Sequence, residues 1–430
     1  MNLYPFQLAL NEIALGMMLR GVRVNPATMK ALETSVNNAM AERRVVVERL
    51  LGKPLDRVNA DGEPTFFRST PQIAALFDQL GQRPGMNRKT KRASYDDEVL
   101  FRIGKRTPGL ASLCNAIVEY RSLGTMRSNF IRARRDDDGR FRCTWNTAGP
   151  ETFRWASSRN AFWRGTNLEN IAKPFHALTG TVLPNLRAAI EPDPGHILWE
   201  PDLAGADARV VAWDSGDPLM KQLFREGWSL HAEAAKEIYG PSAGPDGRKE
   251  PYYTLAKKGR HLWNYGGKAR TMAASLGILV VDAEKIMRRL AYLHPGIPAW
   301  HRRIAAQLRK DRTIRNAFGY RIIYFGRPED ALPNALAWIG QGTVACAINR
   351  AMLGINSEMA AGRAPGSEFL MNQHDSLVGQ TKVEYWKEVK PLIYNQFNAV
   401  EIPYPNDPLI IPPDLKVSST NWGHMQKEAW

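Results

Sequence analysis

Two aspartates carry the first chemical signal in this chain. Asp375 sits in Phe-Leu-Met-Asn-Gln-His-Asp-Ser-Leu-Val-Gly (369–379), where two apolar runs meet at the polar pair His374-Asp375. That pattern predicts a hairpin with an acid at its tip, and a carboxylate held there needs a cation, water or a basic side chain. Asp202 closes a second strand-like run, His-Ile-Leu-Trp-Glu-Pro-Asp (196–202). Two strand-end carboxylates far apart in sequence could hold two metal ions for phosphoryl transfer. A further set is Lys257, His261 and Tyr265, spaced i, i+4, i+8 and therefore on one helix face. A cation, an imidazole and a phenol in that order suit a triphosphate clamp with a ring beneath a base. Gly266-Gly267 follows and lets a ligand approach the backbone; the segment lacks the glycine spacing of a P-loop. Asp207 and Arg209 fall in the first turn of the helix expected after Asp202, and His231 opens another helix. Each feature alone has a plain alternative, a solvated stripe or a helix cap; the order and spacing of the whole set favour chemistry.

The elements that must position these residues can be read along the chain. Residues 5–21 predict an amphipathic helix, 22–25 a short extended piece, and Pro26 opens a long charged helix to about Leu51. Ser69-Thr70-Pro71-Gln72 combines a hydroxyl cap with proline in the first turn. Two helices fill 96–124, broken at Pro108-Gly109. Short extended runs occupy 141–202, and helices return over 205–315 with breaks at 240–247 and 294–298. A strand pair at 313–325, a helix over 334–358, the His374-Asp375 hairpin and a strand-rich end complete the pattern, which implies an α+β fold with discontinuous domains.

Composition narrows the partners. Lys+Arg number 58 against 43 Asp+Glu, a formal net charge of +15, and such an excess suits a polyanion. The basic residues are scattered, as in Arg43-Arg44, Arg88-Lys89-Thr90-Lys91-Arg92 and Arg132-Ala-Arg-Arg135, which fits a long groove better than a basic tail. A merely solvated basic surface is the alternative. Three cysteines without metal-like spacing (Cys114, Cys143, Cys346) suggest a reducing, cytoplasmic setting. No signal peptide is expected, because the apolar N-terminal stretch carries Glu12 and lacks a basic lead. No run of 18 apolar residues suggests a membrane span.

Taken together the motifs resemble family A DNA polymerases, the bacterial DNA polymerase I family and its phage relatives. Asp202-Leu-Ala-Gly-Ala-Asp-Ala-Arg209 resembles the first palm motif, D-Y-S-Q-I-E-L-R, and Gln373-His-Asp-Ser376 resembles the last, x-H-D-E. Lys257-x3-His261-x3-Tyr265-Gly266 is similar to the fingers motif K-x3-F-x3-Y-G and runs ungapped to Leu276-Gly-Ile278. Thr152-Phe-Arg-Trp-Ala-Ser157 with Asn167-Leu-Glu-Asn-Ile171 is similar to T-G-R-L-S-S…N-L-Q-N-I, and Gln341-Gly-Thr-Val-Ala345 resembles Q-G-T-A-A.

The resemblance implies a right-hand fold: an antiparallel-sheet palm with helical thumb and helical fingers. The expected division is an N-terminal helix joining the palm (1–24), thumb (25–135), first palm part (136–230), fingers (231–329) and second palm part (330–430). It implies that Asp202 and Asp375 bind two Mg²⁺ ions, with Mn²⁺ able to substitute. His231, Lys257, His261, Tyr265 and Asp207 would bind the incoming dNTP, and Arg154, Gln341, His374, Arg121 and Asn170 the primer–template DNA. Three departures stand out: Asp207 for a family glutamate, His261 for phenylalanine, and Tyr253 for the fingers arginine, whose phosphate contact would be missing or supplied by Arg248, Lys249 or Lys258. The shorter Asp207 leads to an expectation of weaker ribonucleotide exclusion. Ser376 replaces a glutamate given only a supporting role.

With Met1 almost at the polymerase boundary, no preceding exonuclease domain is expected, and Asp61-Gly-Glu63 is read as a solvated loop, not a nuclease site. No proofreading is then expected of this chain alone, and a separate exonuclease, helicase or processivity factor is a candidate partner in trans. The expected protein is a monomer in bacterial or phage-infected cytoplasm. A phage-type single-subunit RNA polymerase is the nearest rival, and a non-catalytic DNA-binding replication factor is the rival of another class.

Overall fold

The computed structural model describes residues 3–430 except 87–92, 177, 251 and 277. The basic run at 88–92 and Gly277 of the fingers motif lie outside the described residues. The central sheet has five antiparallel strands in the order Ser367–Asn372, Leu377–Lys382, His196–Leu203, Pro413–Ser418 and Gln426–Glu428. The strand His196–Leu203, with Leu198 to Pro201 buried, lies at its centre. Trp199 pairs with Gly379 on one side and Val417 on the other. Its indole donates to Thr381 Oγ1 at 2.9 Å. A Cβ on Gly379 would lie 2.1 Å from the indole, so this neighbour must be glycine. The regular ladder to Leu377–Lys382 stops short of Pro201, which has no N–H to give, and pairing resumes as a bridge between Asp202 and Ser376.

Helices pack around this sheet. Pro26–Leu51 begins at the N-cap Asn25, whose side chain accepts from Thr28 N at 2.9 Å. Ser69 and Asp96 cap Thr70–Gln79 and Asp97–Arg106 in the same way. The helix Ala111–Met126 lies against Pro26–Leu51 and is pinned by Arg43 to Glu119 at 3.0 Å. Glu63 accepts from Tyr120 Oη at 2.8 Å and pairs with Arg127 at 2.8 Å, so one acid of Asp61-Gly-Glu63 is committed to this packing. Asp61 is exposed in a turn organised by Asn59.

A second helical set comprises Leu230–Tyr239, Tyr252–Asn264, Ala269–Leu276, Val280–Leu293 and Gly296–Lys310. The expected break at 294–298 is shorter than anticipated. Only His294 and Pro295 interrupt the helices, because Asp217 accepts from Gly296 N at 3.1 Å and so restarts the turn. Asp217 also faces His294 Nδ1 at 3.0 Å, and both are buried. The helix expected over 334–358 instead spans Pro328–Ala360, beginning earlier and carrying Pro333 in its second turn.

Most buried apolar residues form one core; Ala234, Ala235, Ala243 and Ala256 form a separate small cluster between the helices Leu230–Tyr239 and Tyr252–Asn264. Methyl groups bury little area, so this contact between the two helices is a small one, while Leu230 and Trp263 tie the same helices into the main core. Among the described residues no helix is long and apolar enough to cross a membrane.

The Trp199–Gly379 contact generates a stability prediction. Gly379→Ala should lower unfolding free energy by about 1–3 kcal/mol through overpacking, read from the urea midpoint. An unchanged midpoint would show that the sheet shifts freely there.

Candidate active site

The hairpin turn Gln373–Ser376 is closed by Gln373 N donating to Ser376 O at 2.8 Å. His374 at its tip has φ 66°, a left-handed conformation uncommon for a residue with a side chain. Leu203 N donates to Asp375 O at 3.0 Å, which fastens the tip to the end of the central strand. Two acids are thereby brought together. Burial first, then the charges of Asp375 and Glu200, push the Asp202 carboxyl up to about 7 against the opposing pull of Lys416 and Lys173. The Lys416 ammonium is 3.8 Å from Asp202 Oδ2, beyond hydrogen-bond range. An under-neutralised pair of hard oxygen donors fits divalent cations of the Mg²⁺ type.

Two neighbours shape this edge. Glu200 is buried, accepting from Ser376 Oγ at 3.2 Å and Trp422 Nε1 at 3.0 Å. The serine at 376 is thus a tether between hairpin and central strand. Asp414 pairs directly with Asp202 across the other side of the strand, and opposite residues leave the same face of a sheet.

The second group surrounds Asp207. Gly205, at φ 61°, turns the chain from the central strand into the helix Ala206–Ser215, placing Asp207 in its first turn. Tyr265 Oη donates to Asp207 Oδ1, and His261 Nδ1 lies 3.1 Å from Asp207 Oδ2. The His261 and Tyr265 rings meet edge to face at 4.8 Å. Tyr265 falls one residue beyond the helix Tyr252–Asn264, although its N–H still bonds His261 O. Gly340 makes the arrangement possible: a Cβ there would lie 2.3 Å from Tyr265 Oη and 3.0 Å from Asp207 Oδ1. Burial drives the His231 pKa down to about 4, with Lys257, Arg260 and His261 adding to the shift. Its imidazole is therefore neutral at pH 7. Tyr253 stands edge-on to His231 at 6.3 Å.

The third group holds Arg154, Glu169 and His374. Glu169 accepts from Ser157 N at 3.0 Å and lies 3.7 Å from His374 Nδ1, while Gln373 Nε2 donates to Leu168 O at 3.0 Å. Burial lifts the Glu169 carboxyl to about 7 against the opposing pull of Ser157 N–H and Arg154. Arg154 Nε, Glu169 Oε1 and His374 Nδ1 are all buried without a hydrogen-bond partner, as are Asp207 Oδ2 and His231 Nδ1. Buried polar groups are ordinarily satisfied; those of Arg154, Glu169 and His374 are neighbours, although others of the kind occur elsewhere in the chain, as at Gln7, Arg140 and Asn421. Gln341, half-buried, follows Gly340 on the long helix, and Asn170 is exposed beside Glu169.

Arg121 does not join these groups. It donates to Phe67 O at 2.6 Å and Tyr95 O at 2.9 Å and pairs with Asp97 at 2.9 Å, which makes it a brace between helices. Glu169, Glu200, Gly340 and Asp414 carry no role in the sequence reading. Their positions follow from strand register and helix packing, although the acid inside Asn167-Leu-Glu-Asn-Ile171 was a visible signal.

The DNA polymerase family A model matches residues 51–423. The chain belongs to that family. A thermostable DNA polymerase I of Thermus filiformis is 26% identical over 412 residues, covering 93% of this chain and 45% of the relative. A DNA polymerase of Mycobacterium phage D29 is 25% identical over 329 residues, covering 74% of this chain and 49% of the relative. The chain thus spans a little under half the length of these relatives. The polymerase domain of Pol1 from M. smegmatis, solved in complex with DNA primer-template and dNTP, superposes with TM-score 0.79 at 21% identity. That match covers 97% of this chain and 70% of the other, and it shows the family A polymerase fold.

Glu169 yields a pH prediction. Its folded-state pKa lies above the ordinary 4.5, so folding favours the protonated acid. The cost of the charge is absent below about pH 4.5, grows as pH rises, and levels off above about pH 7. Glu169→Gln should therefore be neutral near pH 4 and stabilising by about 2–3 kcal/mol at pH 8, measured by urea unfolding at both pH values. A benefit at pH 4 that vanishes at pH 8 would contradict the assignment.

Proposed function

We propose that this chain is a template-directed DNA polymerase that extends a primer 3′ end with deoxynucleotides by two-metal-ion nucleotidyl transfer. The observation that carries the reading is the apposition of Asp202 and Asp375 at the sheet edge, where the first carboxyl is pushed up to about 7 by burial and by the second. Asp202 and Asp375 would hold two Mg²⁺ ions, or Mn²⁺ on the same oxygen donors. When bound, such ions acidify the primer 3′-hydroxyl and neutralise the triphosphate and leaving pyrophosphate.

The remaining residues bind and orient. Asp207, held by Tyr265 and approached by His261, would wall the sugar. Neutral His231 and cationic Lys257 would take phosphate oxygens, the imidazole as a hydrogen-bond donor and the ammonium as a charge. Arg154, His374, Gln341 and Asn170 would line the primer side, where Glu169 joins them. Contacts there can test base-pair shape without reading sequence, because minor-groove acceptors are largely degenerate. Arg121 is better read as support for the thumb than as a DNA contact. Palm 136–230 with 330–430, thumb 25–135 and fingers 231–329 remain the proposed division, with 1–24 joining the palm. We read the chain as a monomer without proofreading of its own, because Glu63 is taken up by Arg127 and Tyr120. Three buried free thiols suit a reducing cytoplasm.

Primer extension tests the reading. Asp202→Ala and Asp375→Ala should each lower extension by about 10³-fold or more while primer–template affinity stays within about 3-fold. DNA binding with no extension by wild type in Mg²⁺ or Mn²⁺ would favour a non-catalytic binding factor. For nucleotide choice, Asp207→Ala should reduce the dNTP-over-rNTP preference by about 10-fold. Equal use of both nucleotides by the wild type would favour the RNA polymerase reading.

A further inference from the structure

The segment between the two motif-like stretches 152–157 and 167–171 ends in a turn that exposes two large aromatic side chains. Phe162 is 78% exposed and Trp163 72%. The turn is firmly built. Asn160 N donates to Arg164 O at 2.9 Å, and Trp163 N to Asn160 O at 3.0 Å. The Asn160 side-chain oxygen accepts from Phe162 N and Arg164 N at 3.0 and 3.1 Å, while its Nδ2 donates to Arg142 O at 3.0 Å. Arg164 anchors the turn to Asp136 at 2.9 Å. Gly165, at φ 76°, lies so close to Arg142 O that a Cβ would meet it at 2.4 Å. Trp163 itself is left-handed at φ 59°. An aromatic residue in that conformation costs folding energy and persists only where its surroundings impose it. Strain and solvent exposure of two rings at a rigid tip both need a compensating use.

The surroundings say what would use them. One end of the turn enters the strand Ala156–Arg159, two residues beyond Arg154, and the other leads to Leu168, whose carbonyl is bonded by Gln373 of the hairpin. Gly165 N donates to Arg134 O, which joins the turn to the end of the helical region 26–131. Arg132, Arg134 and Arg159 are exposed in these flanking segments. Of the neighbouring acids, Asp136 is neutralised by Arg142 and Arg164, and Asp138 by Arg142, while exposed Asp137 lies 3.6 Å from Arg164.

We propose that the Phe162–Trp163 tip is a contact for duplex DNA, with the rings packed into the minor groove behind the primer terminus and the flanking arginines on its phosphates. Apolar side chains inserted into that groove, beside cations on the backbone, are a physically established way to grip a duplex without sequence preference. The inference rests on the polymerase reading above.

Equilibrium binding of a labelled primer–template, followed by fluorescence anisotropy across a salt series, tests it. The Phe162→Ala/Trp163→Gly double variant should bind about 10-fold more weakly with an unchanged salt slope, since no charge is lost. Arg159→Ala should weaken binding and shrink the slope by about one unit. Trp163→Gly alone should melt at or above the wild-type temperature, because glycine relieves the left-handed strain. The Trp163 fluorescence, taken as the difference between wild type and Trp163→Phe, should become shielded from iodide when DNA is added. Unchanged affinity of the double variant, or a Trp163 that stays open to iodide in the complex, overturns the proposal. So does wild-type self-association that the double variant abolishes while DNA affinity holds, because the patch would then face protein. A wild type that binds no primer–template sinks the polymerase reading itself, whereas wild-type binding matched by the variant sinks only this inference.

Discussion

The approach of Asp202 to Asp375 is the constraint around which this molecule is arranged. Like charges at a sheet edge repel, and although Asp375 is exposed, burial on the strand side raises the cost of charge on Asp202. Backbone pairing holds them together: Leu203 N bonds Asp375 O, and Asp202 bridges Ser376. Behind them stand an indole against a glycine and a buried glutamate fixed between Ser376 and Trp422. Rigidity at this point has a chemical consequence. A pair that cannot move apart keeps its electrostatic need until a cation meets it.

The same division between firm support and unmet polarity recurs around the site. Arg154 Nε, Glu169 Oε1, His374 Nδ1 and His231 Nδ1 are buried without hydrogen-bond partners, yet the hairpin and strand backbone around the acids is well hydrogen-bonded. His374 even accepts a left-handed backbone to point where it does. In contrast, the helices bearing His231 and Lys257 are joined to each other through a cluster of alanines. Small buried area makes local movement inexpensive. The same helices also reach the main core through Leu230 and Trp263, so the alanine contact is only one of their attachments.

Much of this was legible in the sequence because local chemistry wrote it. Asn25, Ser69 and Asp96 announce helix starts through their side-chain acceptors, and each does cap one. The alternation around His374-Asp375 gave the hairpin. What stayed hidden depends on residues distant in sequence. The sequence predicts a helix only from about Asn334, yet the buried helix Pro328–Ala360 begins earlier and runs through Pro333. Arg121 was expected on the primer–template, yet two carbonyls and an acid consume it. Gly340 reads as a small residue in an apolar helix, and only the packed structure shows that any side chain there would strike Tyr265 and Asp207.

Asp207 and His261 show why substitutions read singly mislead. Alone, the shorter acid retreats by one methylene and the imidazole trades an apolar ring for a polar one. Each looks like a loss of definition in the sugar pocket. In the structure they are neighbours: His261 Nδ1 lies 3.1 Å from one Asp207 oxygen while Tyr265 bonds the other. A longer acid pressed against a phenyl ring would be positioned by sterics and one hydrogen bond. Here both carboxylate oxygens face a potential donor, and the His261 and Tyr265 rings brace each other edge to face. Reach is exchanged for fixation. Ribonucleotide exclusion through such a wall would depend on how little Asp207 can yield, and so on Gly340, which leaves Tyr265 the room to hold it.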